Sequence, residues 1–99
     1  MSDMNVVVLA GRLVADPELT QVGENSVAHF AIAVHDFKGG EEFTNFFDLS
    51  AWGKLAETVS TYLVKGRWVI VRGKLRHETW ENEGQKRSRV RVLAQDVQM

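Results

Sequence analysis

The chain has 99 residues, 44% hydrophobic and 25% charged, with 8 Gly, 1 Pro and no Cys, the composition of a single compact domain too short to divide in two. Without cysteine there are no disulfides, no zinc-thiolate site and no thiol nucleophile, so stability has to come from packing or self-association. The formal net charge is −1, which at first sight excludes a polyanionic ligand, yet the charges are unevenly placed. Residues 65–91 hold nine Lys and Arg against three Glu, whereas the other 72 residues hold three basic side chains against ten acidic ones. One cationic surface on an otherwise acidic body is the kind of field that steers a polyanion. The N-terminal Met1-Ser2-Asp3-Met4-Asn5 lacks the basic flank of a signal peptide, and no apolar run approaches the roughly 20 residues of a membrane span, so a cytosolic protein is expected.

Turn-forming residues at Asp16-Pro17, Gly23-Glu24-Asn25, Gly39-Gly40, Gly53, Gly66 and Glu83-Gly84 divide the chain into five apolar segments and one helical one. Residues 4–14 read as a strand apolar on both faces, with Val6, Val8 and Ala10 on one side and Val7, Leu9 and Leu13 on the other. In residues 27–35, Phe30, Ile32 and Val34 alternate with His29, Ala31, Ala33 and His35, so one face goes to a core. Residues 43–52 place Phe43, Phe47, Leu49 and Ala51 on an uncharged, inward face and Thr44, Phe46, Asp48, Ser50 and Trp52 on the other.

In residues 54–65, Leu55, Val59, Tyr62 and Leu63 fall on one helical face, with Lys65 expected in the last turn and Gly66 as the stop. Residues 67–80 follow with Val69, Val71, Gly73 and Leu75 inward and Arg72, Lys74, Arg76, Glu78 and Trp80 outward, Trp68 being assigned to packing. Residues 86–94 place Arg87, Arg89 and Arg91 outward and Val90 and Val92 inward. The order predicts an all-β barrel with one helix, of the five-stranded Greek-key OB type, the helix lying between the third and fourth strands. A sandwich would need about seven strands and no helix.

Phe46, Trp52 and Trp80 are large aromatics among polar and cationic neighbours, outside the reach of a core explanation. Flat rings for stacking bases, interleaved with cations for phosphates, are what a nucleic-acid single strand requires. No catalytic signature accompanies them, and the chain is not expected to be an enzyme. His29 and His35 share a strand face but stand six residues apart, roughly 20 Å, too far to hold one metal. No phosphate loop or nucleophile elbow is present, and Asp16 and Glu18 flank a turn proline. No cofactor is expected.

Three stretches carry a resemblance. Asn5-Val6-Val7-Val8-Leu9-Ala10-Gly11-Arg12-Leu13-Val14-Ala15-Asp16-Pro17-Glu18, Trp52-Gly53-Lys54-Leu55-Ala56-Glu57 with Tyr62-Leu63-Val64-Lys65-Gly66, and Val71-Arg72-Gly73-Lys74-Leu75-Arg76 resemble the first strand, the helix segment and the fourth strand of bacterial single-stranded DNA-binding proteins. The resemblance covers nearly the whole chain, residues 1–99 as one single-stranded DNA-binding domain. It implies an OB barrel that assembles as a homotetramer, a dimer of dimers. It also implies sequence-independent binding and protection of single-stranded DNA in replication, recombination and repair, in the cytoplasm and associated with the nucleoid. By resemblance the stacking aromatics are Phe37, Phe46, Trp52 and Trp80, and Lys54, Lys65 and Arg76 fall where the family often has cations; Arg72, Lys74, Arg87 and Arg89 complete the expected DNA-binding set. The doubly apolar first strand requires that Val6, Val8 and Ala10 or Val7, Leu9 and Leu13 find apolar cover outside the barrel, and Val6, Val8 and Ala10 are expected as the oligomer interface.

The sequence departs from the family pattern in several places. Phe37 and Phe46 stand where tryptophan is common, Asp48 where a basic residue is often found, and Glu78 and Thr79 where basic residues often flank the fourth-strand tryptophan. The family usually continues into a disordered Gly- and Pro-rich tail with an acidic tip that recruits partners. The present sequence ends at Gln95-Asp96-Val97-Gln98-Met99, as either a core of a longer protein or a short paralogue would, so tail-mediated partners are not expected from it. Two other readings have distinct signatures: a primosome-type OB dimer that binds DNA weakly and docks a helicase or loader, and an OB subunit whose aromatics form a protein interface.

Overall fold

The computed structural model describes residues 3–99; Met1 and Ser2, the start of the segment read above as no signal peptide, lie outside the described residues. Six strands and one helix follow in the order β1 (Val7–Leu13), β2 (Glu18–Val22), β3 (Asn25–Lys38), β4 (Glu41–Trp52), α1 (Lys54–Tyr62), β5 (Trp68–Asn82) and β6 (Gln85–Gln98). The sheet order β1-β5-β6-β4-β3-β2 closes on itself through β1–β3 pairing at Arg12↔Ala33 and Leu13↔Ile32. Five strands thus form the closed barrel expected of the OB type. β2 is an added arm antiparallel to β3, and its presence moves the helix from between the third and fourth strands to between the fourth and fifth. Its residues are all exposed, so no apolar alternation announced it.

The inward faces follow the period-2 pattern where strands lie in the barrel wall: Ala28, Phe30 and Ile32 of β3, Leu49 and Ala51 of β4, Val69 and Val71 of β5 and Val92 and Ala94 of β6 are buried together. Three inward assignments fail. Leu75 and Val90 are exposed, because the β5–β6 hairpin runs on past the barrel, where no opposing wall exists. Phe43, near the tip of the β3–β4 hairpin, is exposed for the same reason. The radius of gyration, 14.8 Å, exceeds the value of about 13 Å for a packed chain of this length, as projecting arms require.

Gly73 marks the point where the β5–β6 arm departs. A register shift lies between Arg72 and Gly73, and a Cβ on Gly73 would sit 2.1 Å from the Leu93 carbonyl oxygen. Only a residue without a side chain permits that approach. At the far end, Glu83 and Gly84 both adopt positive φ, 52° and 78°, as a two-residue turn matched to strand twist demands.

The helix ends earlier than its apolar spacing implied. Leu63 is extended (φ −96°, ψ 140°) and leaves α1 to bury its side chain. Tyr62 is exposed, and Ala56 and Val59 supply the buried face. Lys65 therefore lies outside the helix, where its N–H donates to Asp16 Oδ1 at 2.8 Å, and the Gly66 N–H donates to the Leu13 carbonyl at 2.8 Å. Asp16 thereby works as a loop tie, binding the β1–β2 connection to the entry of β5.

Candidate nucleic-acid interface

Register places the expected aromatics on shared outer faces. On the β3–β4 hairpin, Val27↔Trp52, Ala33↔Phe46 and Phe37↔Glu42 are opposite pairs, so Phe37, Phe46 and Trp52 point to the same side. Successive spacings along the ribbon are roughly 13 Å and 20 Å at about 3.3 Å per residue. Phe46 is 68% exposed, Trp52 45% and Trp80 42%, which leaves each ring with an open face. Phe37 stands at the exposed tip beside Asp36, whose carboxylate accepts the Phe37 N–H at 2.8 Å.

The cationic arm lies on the other side of β4. Arg76↔Arg91, Glu78↔Arg89 and Trp80↔Arg87 are opposite pairs in β5–β6. β6 runs parallel to β4 through Leu49↔Val92 and Ser50↔Leu93, and this seam brings the two surfaces together. Trp52, His29 and Ser50 from the β3–β4 side and Arg76, Glu78 and Arg91 from the arm line one groove of roughly 450 Å³. Arg91 reaches across the seam, where its Nη1 lies 3.1 Å from His29 Nδ1. Arg91, 14% exposed at its side chain, forms the floor of the groove. The sequence puts it on the right strand face but outside the expected binding set; its distinguishing feature, the contact with His29 of β3, is visible only once strand neighbours are known.

Glu78, the acid that interrupts this cationic face, is not free. Arg89 Nε donates to Glu78 Oε1 at 3.3 Å, and Arg91 Nε stands 3.7 Å from the same oxygen. Arg89 also lies over the Trp80 ring, 5.4 Å from its centroid. Asp48, by contrast, remains on the outer face of β4 opposite Ala31, and lines a second, smaller cavity with Asp16, Glu18 and His29.

The remaining expected residues divide by position. Lys74 and Arg87 share the outer face of the β5–β6 ribbon with the groove cations. Arg72 precedes the register shift, opposite Val8 of β1 and Asp96 of β6, and belongs to a different part of the sheet. Lys54 opens α1, and Lys65 sits on the loop after it. Trp68, expected to pack, is half-exposed opposite Arg12: it occupies the same outer face as Ile70 and Arg72, so no barrel core is available to it. Val8, 60% exposed, shares the outer face of β1 with Ala10, and Val6, exposed just before the strand, lies beyond its start. The inner partners Val7 and Leu9 pack against the core, which resolves which side of the doubly apolar strand stays uncovered.

Among the described residues no group of three or more His, Asp or Glu converges as a metal site, and no helix is long and apolar enough to cross a membrane.

The chain is 44% identical over 105 residues to the single-stranded DNA-binding protein of Treponema pallidum, all of the chain matching 59% of that relative's length. It is 39% identical to the single-stranded DNA-binding protein of Aquifex aeolicus, with 97% of the chain matching 69% of the relative. The barrel superposes on the Plasmodium falciparum SSB in its complex with single-stranded DNA at a TM-score of 0.91, covering 99% of this chain and 96% of that one at 21% identity, a likeness of fold. The profile of the Single-strand binding protein family matches residues 4–99, and the chain belongs to that family.

Proposed function

We propose that residues 1–99 form one domain that binds and protects single-stranded DNA without sequence preference, in replication, recombination and repair. Bases stack on Trp52, Trp80 and Phe46, with Phe37 at the far end of the same face. Phosphates are met by Arg76, Lys74, Arg87 and Arg89, with Arg72, Lys54 and Lys65 as outlying cations. The observation that carries the reading is the groove itself, in which an exposed tryptophan and two arginines from different strands converge. An aromatic platform accepts any base, because every base has a π-face, and cations track a backbone that is the same at every nucleotide. The same exposed rings favour this reading over a docking factor with weak DNA binding.

Assembly belongs to the proposal. The apolar outer face of β1, Val8 and Ala10 with Val6 just before the strand, calls for apolar cover that the barrel does not provide, and a symmetric contact between two β1 strands supplies it. A dimer of dimers then gives the homotetramer, acting on DNA in the cytoplasm. The work is binding; no catalytic step is assigned.

The test is a titration of intrinsic tryptophan fluorescence with poly(dT) at two salt concentrations. Quenching that weakens steeply with salt supports the function. Unchanged fluorescence at low salt, with the protein folded, overturns it.

A further inference from the structure

An acid in the middle of a phosphate-binding face would be expected to weaken binding, yet Glu78 is engaged with both neighbouring arginines. The register explains why. Arg76 and Arg91 stand directly opposite each other, a like-charge pair that destabilises a ribbon. Glu78 lies opposite Arg89 and diagonal to Arg91, the position from which one carboxylate reaches Arg89 and Arg91 and offsets one arginine of the like-charge pair. Its bond to Arg89 uses Nε, on the stem side of the guanidinium, and the central carbon of that same guanidinium lies over Trp80, 5.4 Å from the ring centroid.

Resting on the proposed function, we infer that Glu78 is a positioning residue for base stacking: it holds Arg89 against one face of Trp80, so that the ring is braced and its other face receives a single base. Arginine is suited to this, since its planar guanidinium stacks on an aromatic ring while its remaining N–H groups stay available to phosphate. The three-layer order is Arg89, Trp80, base. A negative charge within the site thereby serves binding of an anion, because what it fixes is worth more than the phosphate repulsion it adds at an exposed position.

The experiment is an anisotropy titration of labelled oligo(dT) with the full chain carrying Glu78→Gln, Trp80→Ala, or both, each checked for fold by far-ultraviolet circular dichroism. Glu78→Gln keeps the shape and removes the charge. It is expected to weaken binding roughly two- to fivefold, the worth of an exposed cation–π contact, and to have no effect in the Trp80→Ala background. Arg89→Lys, which keeps the charge but cannot stack as a plane, is expected to reproduce the loss. The near-ultraviolet circular dichroism of the free protein should also change with Glu78→Gln, and not when Trp80 is already absent. Binding by Glu78→Gln that is equal to or tighter than that of the unmodified chain overturns the inference. An equal loss in both backgrounds overturns it too, since that reports a general disturbance of the arm. If the unmodified chain fails to bind oligo(dT), the functional reading falls and this inference with it.

Discussion

The side-chain amide of Asn5 forms two hydrogen bonds with the backbone of Leu75: Nδ2 donates to the carbonyl at 2.8 Å, and the Leu75 N–H donates to Oδ1 at 2.9 Å. Asn5 thus imitates one more strand residue, carrying the β1–β5 ladder two residues beyond its last pair, Val7↔Gly73. The contact fastens the base of the cationic arm just after the point where it leaves the barrel.

Asn5→Ala is therefore expected to destabilise the fold by about 1 kcal/mol, the net worth of such bonds at an exposed site. For a chain of this size that lowers the melting temperature by roughly 4–8 °C. Thermal unfolding at one fixed protein concentration checks it, the fixed concentration being needed because association adds to apparent stability.

At the stacking rings, Trp52→Ala and Trp80→Ala should each weaken binding to oligo(dT) by about 1–3 kcal/mol. Glu83→Ala, in the turn of the arm, should change it far less. Equilibrium titration of the three variants decides the matter: unchanged affinity in both tryptophan variants, with the fold intact, removes the rings from the binding site.

Charge is read out by salt. Each phosphate contact on a single strand contributes about −0.7 to the slope of log K against log salt, so Arg76→Ala should flatten the slope by somewhat less than one unit. Arg72→Ala should flatten it less, because Arg72 lies beside Val8 and Asp96 and away from the groove. Titrations across a salt series measure both, and equal flattening would show that the DNA path crosses the outer face of β1 and β5 as well.

Val8 points outward, so Val8→Asp should dissociate the assembly while leaving the protomer folded. Glu24→Ala, in the β2–β3 turn, should do neither. Light scattering with circular dichroism separates the outcomes, and a monomer for the unmodified chain at micromolar concentration would refute the interface.

The parts of this molecule legible in the sequence are those governed by strand alternation. Phe46, Trp52 and Trp80 fall on outer faces because alternate residues point to opposite sides of a strand, wherever that strand happens to lie. Phe43, Leu75 and Val90 share the same alternation yet lie exposed, because alternation says which side a residue faces and not whether anything stands opposite. β2 leaves no mark in the sequence since no residue in it is buried, and Leu63 ends the helix early because its burial outweighs one more helical turn. The part played by Arg91 depends on His29, sixty-two positions away in the chain, and such a contact becomes visible only with the sheet order.

The parallel seam between β4 and β6 comprises two residue pairs, Leu49↔Val92 and Ser50↔Leu93, and both hairpins leave it toward the same end. The two ribbons are joined at this seam, again by the Arg91–His29 contact across it, and a third time through β1, which pairs with both β5 and β3. The backbone of an unpaired strand repeats at the same interval whatever bases it carries, so under the proposed function one fixed spacing between Phe46 on one ribbon and Trp80 on the other meets any order of bases, and indifference to sequence asks for no movement of the rings.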